Sequence, residues 1–342
     1  MTFRILIPDR AGDLDPVIER QVFEGIGVLD NRTAAVPEDV PDESWAAADA
    51  VLVNSRMQMG AYAVARMKRC RIVVRFGAGY DNFDLAALGT AGIPACNVPD
   101  YHQGEISDHA MGMLLTLRRG ILTYGPALAA DWRKGWNFVG APLMRRLEGS
   151  TLGIVGIGRI GRATARRALG FGMDVLFYDP YVAADDPAVA GCRKADSLAA
   201  LLGASDAVTL HCPLTSETNG LLGAAAIAQM KAGAILINTA RGPVADPDAA
   251  LDALRAGHLG GLALDVLPDE PPLPESRLMQ AHRDQPDWAR GRLIVTPHAA
   301  FFSPESIRDL RRKCAETARD YLQGKALRNC VNERELAGRA RR

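Results

Sequence analysis

No charge of either sign dominates this chain of 342 residues: forty Lys and Arg stand against forty Asp and Glu. Without a net field, nothing draws the whole molecule toward nucleic acid or an anionic membrane. The basic clusters Arg66-Lys68-Arg69-Arg71, Arg311-Arg312-Lys313 and Arg339-Arg341-Arg342 are local and read as solvated surface. No apolar run is long enough to span a bilayer. The chain opens on Phe3–Ile7 as a strand rather than as a signal peptide. Cysteines are few: Cys70, Cys96, Cys192, Cys212, Cys314 and Cys330. They form no C-x-x-C and no zinc-type spacing with histidine, so no metal is expected and the thiols read as reduced. These features favour a cytoplasmic setting. What the chain has in quantity is apolar: 48% hydrophobic residues against 23% charged, enough for a sizeable core. Its length suits two domains.

The most informative stretch is Gly156-Ile157-Gly158-Arg159-Ile160-Gly161. It follows the apolar run Thr151-Leu152-Gly153-Ile154-Val155 and opens a helical stretch from Arg159 to Leu169. A second apolar run, Val175-Leu176-Phe177-Tyr178, ends at Asp179, 18 residues past Gly161. Strand, G-x-G-x-x-G, helix, strand, acid is a dinucleotide-binding pattern in full context. Gly156 permits the tight turn, Gly158 admits a pyrophosphate to the backbone, and Gly161 lets helix and strand pack closely. The helix N-terminus offers N–H groups and a positive dipole end to phosphate. Asp179 suits a ribose 2′-hydroxyl and repels a 2′-phosphate, and neither Pro180 nor Tyr181 is basic. The pattern therefore selects NAD(H) over NADP(H). FAD fits the glycines alone, but its sites as a rule lie at the extreme N-terminus, whereas these glycines are mid-chain.

Strand candidates in the first hundred residues are Phe3–Ile7, Ala50–Asn54, Arg71–Arg75 and Ile93–Asn97. Helical stretches Asp15–Glu24, Met59–Lys68 and Asp84–Gly89 lie between them, an alternation that predicts a parallel α/β sheet. A long helical pattern covers Gln103 to Ala130. A second strand set follows: Thr151–Ile157, Asp174–Tyr178, Ala207–His211, Ala234–Asn238, Gly261–Val266 and Leu293–Thr296. Six such strands make one doubly wound domain. The helical stretch Pro304 to Gln323 has no sheet of its own and is expected to return to the first domain. The expected division is 1–100 with 300–330 as a substrate domain, into which 101–299 is inserted as the dinucleotide domain.

Three polar segments end late strands: Asn238-Thr239-Ala240-Arg241-Gly242, Asp265-Val266-Leu267-Pro268-Asp269-Glu270-Pro271 and Thr296-Pro297-His298-Ala299-Ala300. In an open α/β sheet, ligands bind beyond the carboxyl ends of strands. Reducing a 2-oxo acid needs a planar cation for the carboxylate, a proton for the oxygen, and a carboxylate to hold the imidazole that carries it. Arg241, His298 and Glu270 fit these roles. Each also fits a purely structural place: a salt bridge, a hydrogen-bonded surface histidine, a loop carboxylate.

The segments GIVGIGRIGRATARRALGFGMDVLFYDPY, INTARG, ALDVLPDEP and VTPHAA, with RFGAGYDNFDL nearer the N-terminus, resemble the D-isomer-specific 2-hydroxyacid dehydrogenase family over nearly the whole chain. VLFYDPY, VTLHCPL and NCVN are most similar to its C-terminal-binding-protein branch, which includes transcriptional corepressors. The resemblance implies a Rossmann sheet inserted in a flavodoxin-like substrate domain. It implies that Arg241 binds the substrate, that His298 is the acid/base with Glu270 as partner, and that Asp265 bonds the nicotinamide carboxamide. Gly156, Gly158, Arg159, Ile160, Gly161, Tyr178, Asp179, His211, Cys212, Pro213, Thr218, Thr239, Ala240 and His298 would border NAD. Arg75, Gly77, Ala78, Gly79 and Phe301 would meet the 2-oxo or 2-hydroxy acid. Phe301 replaces a tryptophan of the corepressor branch, so substrate preference does not carry over.

The same resemblance makes Trp132 and Trp136 part of an arm that embraces a second subunit, and thus implies a homodimer. A buried intrachain core is the other reading of that segment. Among the remaining histidines, His102 is expected at a domain crossing, His211 in packing, and His109, His258 and His282 as structural or exposed. Competing readings are an NAD(H)-sensing regulatory protein and phosphoglycerate dehydrogenase. The missing disordered tail speaks against the first. The missing C-terminal regulatory domain speaks against the second, although Arg56 could serve a phosphate.

Overall fold

The computed structural model describes residues 2–9, 15–138 and 140–339, with side chains through 337. Of the third basic cluster, the Arg339 side chain, Arg341 and Arg342 lie outside the described residues. The chain divides into two compact units, 1–102 with 303–342 and 103–302.

The first unit begins β1 (Phe3–Ile7), α1 (Val17–Val22), β2 (Gly27–Asn31), α2 (Asp42–Ala47), β3 (Ala50–Val53), α3 (Ala61–Arg66), β4 (Ile72–Arg75), α4 (Leu85–Ala91) and β5 (Ala95–Cys96). Its described strands form one parallel sheet ordered β2-β1-β3-β4-β5, the flavodoxin-like order. Alternate residues of each strand face opposite sides. Leu6, Val51, Val53 and Val73 join Trp45, Met57 and Leu88 on one face, while Ile5, Leu52, Ile72 and Val74 join Phe23 on the other. Strand β2 escaped the sequence reading because it is a half-buried edge that ends in Asp30 and Asn31, without an apolar run.

The second unit holds α5 (Gln103–Arg118), α6 (Ile121–Ala130), β6 (Thr151–Val155), α7 (Arg159–Gly170), β7 (Asp174–Tyr178), β8 (Arg193–Lys194), α8 (Leu198–Ala204) and β9 (Ala207–Leu210). It continues with α9 (Ala224–Ile227), β10 (Ala234–Asn238), α10 (Pro247–Arg255), β11 (Leu259–Leu264), α11 (Arg277–Asp284) and β12 (Leu293–Val295). The described sheet is parallel and runs β12-β11-β10-β9-β6-β7-β8, the Rossmann order with one further strand. It has seven strands where six were expected, because β8 is a two-residue polar edge. The single helix expected over Gln103 to Ala130 is two. Gly120 stands between them at φ 67°, a left-handed backbone that cannot continue an α-helix. On one face of this sheet Ile154, Phe177, Ile235 and Ala263 pack with Met113, Leu114 and Leu117 of α5 and Ala165 and Ala168 of α7. On the other, Val155, Leu210, Leu236 and Leu264 pack with Leu201, Leu251 and Leu254.

The chain then returns to the first unit as α12 (Pro304–Leu322) and α13 (Glu333–Arg339). Helix α12 starts in a capping box, Ser303 and Ser306 each bonding the other's backbone N–H at 2.9 Å, with Pro304 in its first turn. Its Leu310, Cys314, Ala318 and Leu322 cover the Ile5–Val74 face. Each leucine so buried contributes about 1.5–3 kcal/mol. The buried Glu19 of α1 accepts both Arg311 Nε and Nη2, at 2.8 and 2.6 Å. Helix α13, which packs on α4, extends the unit past residue 330.

Candidate active site

The carboxyl ends of the second unit's strands carry the polar segments named above, and the glycine turn is built as the motif requires. Gly156 follows β6 at φ 87°, and a Cβ there would stand 2.6 Å from the backbone nitrogen of Cys212. A Cβ on Gly161 would strike the carbonyl oxygen of Gly156, so α7 rests directly on the turn. Gly158 differs: among the described residues, none lies within 4 Å of where its Cβ would be. Packing does not ask for glycine there, whereas a phosphate drawn against the backbone does. Helix α7 also begins without a side-chain cap, leaving its first N–H groups to an anion. Arg159 is exposed and Ile160 half-buried beside them.

Asp179 follows β7 and the half-buried Tyr178. Its Oδ2 accepts the Ile157 N–H and its Oδ1 the Tyr181 N–H, each at 3.0 Å. The acid therefore sits on the lip of the glycine turn. Tyr181 Oη donates to Glu217 Oε2 at 2.6 Å, joining this lip to the loop after β9. In that loop Thr218 Oγ1 donates to the Pro213 carbonyl at 2.6 Å and accepts from Thr215 N at 2.8 Å. The Thr218 hydroxyl thus folds the loop. Cys212 is buried, which pushes its thiol up to about 11. The His211 ring is enclosed beside it, with Nε2 3.1 Å from Thr209 Oγ1, and burial brings the imidazole down to about 3.

After β10 the buried Asn238 shapes the next loop. Its Nδ2 donates to the Arg241 carbonyl at 2.9 Å and its Oδ1 accepts Ala240 N–H at 3.0 Å. Between them, Thr239 Oγ1 is enclosed with no hydrogen-bond partner among the described residues. An orphaned hydroxyl, an uncapped helix start, an open glycine and an acid at the second strand end are the donor and acceptor set that NAD(H) needs.

Arg241 is half-buried, and Gly242 lies against the Leu267–Pro268 peptide, so the loops bearing Arg241 and Glu270 abut. Glu270 Oε2 lies 2.6 Å from His298 Nδ1, and its Oε1 accepts Leu267 N–H at 2.9 Å. Burial alone would raise this carboxyl. The bonds from His298 and Leu267, with the charges of His298 and Arg241, outweigh it and hold Glu270 below its usual range. His298 has φ 53°, a conformation that costs a residue with a Cβ about 1–3 kcal/mol. Phe301 meets the imidazole edge to face, with ring centroids 6.0 Å apart.

Asp265, expected to bond the nicotinamide carboxamide, lies just past the end of β11. Its buried carboxylate accepts Thr296 Oγ1 at 2.5 Å, Ala299 N–H at 2.9 Å and Ala300 N–H at 3.0 Å, and so grips the His298 loop. His109, expected to be structural or exposed, stands in this network with Nε2 3.1 Å from Thr296 Oγ1. A histidine on a helix carries no motif that would place it there.

In the first unit, Arg75 ends β4 and its guanidinium lies against Gly77. Asn97 Nδ2 donates to the Ala78 carbonyl at 2.6 Å, and Val98 N–H donates to that of Gly77 at 2.9 Å. The strand-end loop of Gly77, Ala78 and Gly79 is thereby braced from β5. His102 is buried and stacks on Tyr101 at 3.9 Å. Among the described residues no group of three or more His, Cys, Asp or Glu could hold a metal ion, and no helix is long and apolar enough to cross a membrane.

A parallel sheet in Rossmann order, with this turn and this acid, defines a dinucleotide-binding domain. Residues 111–300 match the model of the D-isomer specific 2-hydroxyacid dehydrogenase NAD-binding domain, and the chain belongs to that family. It is 32% identical over 324 residues to the D-3-phosphoglycerate dehydrogenase of Methanocaldococcus jannaschii, covering 93% of this chain and 58% of the relative. It is 35% identical over 299 residues to the D-3-phosphoglycerate dehydrogenase of Mycobacterium leprae, covering 87% and 52%. The chain thus spans a little over half the length of these relatives. It also superposes on a D-lactate dehydrogenase of Aquifex aeolicus crystallised with NAD and lactic acid. There the TM-score is 0.80 and the identity 27%, with 98% of each chain covered.

Proposed function

We propose that the chain is an NAD-dependent dehydrogenase interconverting a 2-oxo acid and its D-2-hydroxy acid. The observation that carries this reading is the 2.6 Å bond between His298 and Glu270 on a loop held in a left-handed conformation. NAD(H), when bound, supplies or takes the hydride. Glu270 occupies Nδ1 of His298, which leaves Nε2 to give a proton to the substrate oxygen in reduction and to take it back in oxidation. Arg241, whose charge helps hold Glu270 ionised, offers a planar fork to the substrate carboxylate. In the first unit, Arg75 and the braced loop would offer a cation and the N–H groups of Ala78 and Gly79 to a carboxylate, the Gly77 N–H being taken by the Arg75 carbonyl at 2.9 Å. Phe301 supplies an aromatic wall beside His298.

The domain roles follow: residues 1–100 with 300–330 would serve the substrate and 101–299 the cofactor. We also infer a homodimer. Helix α6 has no buried residue, and Trp132, Trp136 and Phe138 after it are 65%, 81% and 86% exposed, a patch that a second copy would cover. Free thiols and this cofactor suit a cytoplasmic setting. Turnover of NADH with a panel of 2-oxo acids tests the reading. If NADH binds and no acid in the panel is reduced, an NAD(H)-sensing role takes its place.

A further inference from the structure

We propose that His109 is a positioning residue: through Thr296 and Asp265 it holds the loop that presents His298. The inference rests on the function proposed above for its kinetic consequence and on geometry alone for the contact. Strands β11 and β12 are parallel neighbours, paired up to Leu264 and Val295. The next residues, Asp265 and Thr296, therefore emerge side by side. Thr296 Oγ1 gives its one proton to Asp265 Oδ1 at 2.5 Å. The same oxygen can then only accept from His109 Nε2 at 3.1 Å, which places a proton on Nε2. That nitrogen is also 3.7 Å from Asp265 Oδ1.

The consequence lies two residues further on. Asp265 has a side chain only 1% exposed, and among the described residues His109 is the basic side chain within ion-pair distance of it. A buried carboxylate must be met by donors. Here they are the Thr296 hydroxyl and the N–H groups of Ala299 and Ala300, which follow His298 directly. The His298 N–H itself bonds the carbonyls of Asp265 and Thr296, at 2.8 and 3.0 Å. The unfavourable φ of His298 thus persists because its own N–H and those of Ala299 and Ala300 are held by Asp265 and Thr296. His109 fixes the direction of the hydroxyl that links those two. It stands on α5, whose Ala110, Met113, Leu114 and Leu117 are anchored in the core, so its ring has a rigid base.

The test uses the full chain and two readouts. Hydrogen exchange at the Ala299 and Ala300 amides is followed without substrate, and kcat for 2-oxo acid reduction is measured beside the Kd for NADH. Losing a hydrogen bond of ordinary net strength shifts an equilibrium by roughly three- to tenfold. His109→Leu should therefore speed exchange at both amides by about that factor and lower kcat comparably, with the NADH Kd within about twofold of wild type. His109→Gln, whose amide can still donate to Thr296, should restore both. Thr296→Val should reproduce the leucine variant, and the double variant should be no worse than either single one, because both cut the same chain. Unchanged exchange in His109→Leu and Thr296→Val would overturn the proposal, as would a glutamine variant indistinguishable from leucine. A wild-type chain that reduces no 2-oxo acid would sink the proposed function, while the exchange data would still decide the role of His109.

Discussion

Glu270 divides its carboxylate between the imidazole of His298, at 2.6 Å, and the Leu267 N–H of its own loop, at 2.9 Å. The acid partner is therefore oriented before it orients the histidine. With Nδ1 engaged by Glu270, the proposed mechanism leaves Nε2 for chemistry.

Replacing that nitrogen should cost transition-state proton transfer and little else. His298→Ala is expected to lower turnover by roughly 10²–10⁴-fold with NADH affinity nearly unchanged. Arg241→Lys should weaken both substrate KM and kcat, because a point charge does not reproduce the planar fork. Steady-state kinetics with NADH fluorescence titration checks both. Near-normal turnover in His298→Ala would refute the assignment.

If reduction draws on the proton held between His298 and Glu270, as proposed above, its rate should fall as the solution becomes more alkaline. Glu270 is held below its ordinary carboxyl value and so stays ionised at neutral pH. Glu270→Gln keeps the shape and removes the charge that favours the proton. Its pH–rate profile should move to lower pH, and an unmoved profile would show that the carboxylate acts only as a spacer.

At the other end of the cofactor site, Asp179 on the lip of the glycine turn should make NADH bind at least about tenfold more tightly than NADPH. Asp179→Ala should narrow the gap, although it also releases the Ile157 and Tyr181 N–H groups. Competition titration decides, and equal wild-type affinities would overturn this reading of the acid.

The exposed aromatic segment makes a prediction about assembly. Trp136→Glu with Phe138→Asp should convert a dimer to monomer in sedimentation without lowering the melting temperature by much, since both side chains are largely exposed. A wild-type chain that sediments as a monomer would refute the dimer.

Local pattern carried most of the fold, and the exceptions share a cause. Apolar strands such as Ile72–Arg75 and Ala234–Asn238 were legible because burial on both faces demands an unbroken apolar run. Edge strands β2 and β8 are half-buried or polar and lack that signature. The break at Gly120 lay inside an otherwise helical pattern, where one glycine does not announce a left-handed turn. In the site, residues that stand beside a strand end, His298 and Glu270 among them, could be nominated from order, while their roles came from the family resemblance, since on spacing each also fits a structural place. The grip of Asp265 on Ala299 and Ala300, and the approach of His109 from a helix 187 residues away from Thr296 in sequence, depend on strand pairing and helix docking. No local spacing encodes those.

The last prediction concerns stability and its sign. Burial holds His211 neutral down to about 3 against an ordinary 6.5. Below pH 6.5 the unfolded chain binds a proton there that the folded chain refuses, so stability must fall as pH drops through the window from 6.5 toward 3. Asp9 works the opposite way: burial raises its carboxyl to about 6 from 3.8, and its contribution is lost as pH rises through that value. Glu270, held low, loses its contribution only below the ordinary 4.5. Urea midpoints at pH 7.5 and 5 thus contain His211 and Asp9 with opposed signs, and a variant separates them. His211→Gln removes the first, so its midpoint should fall less than wild type, or rise, on going from pH 7.5 to 5. Asp9→Asn removes the second and should fall more. Identical pH dependence of wild type and His211→Gln would mean that the ring takes up its proton in the folded state, and that the enclosure around it opens at mild acidity.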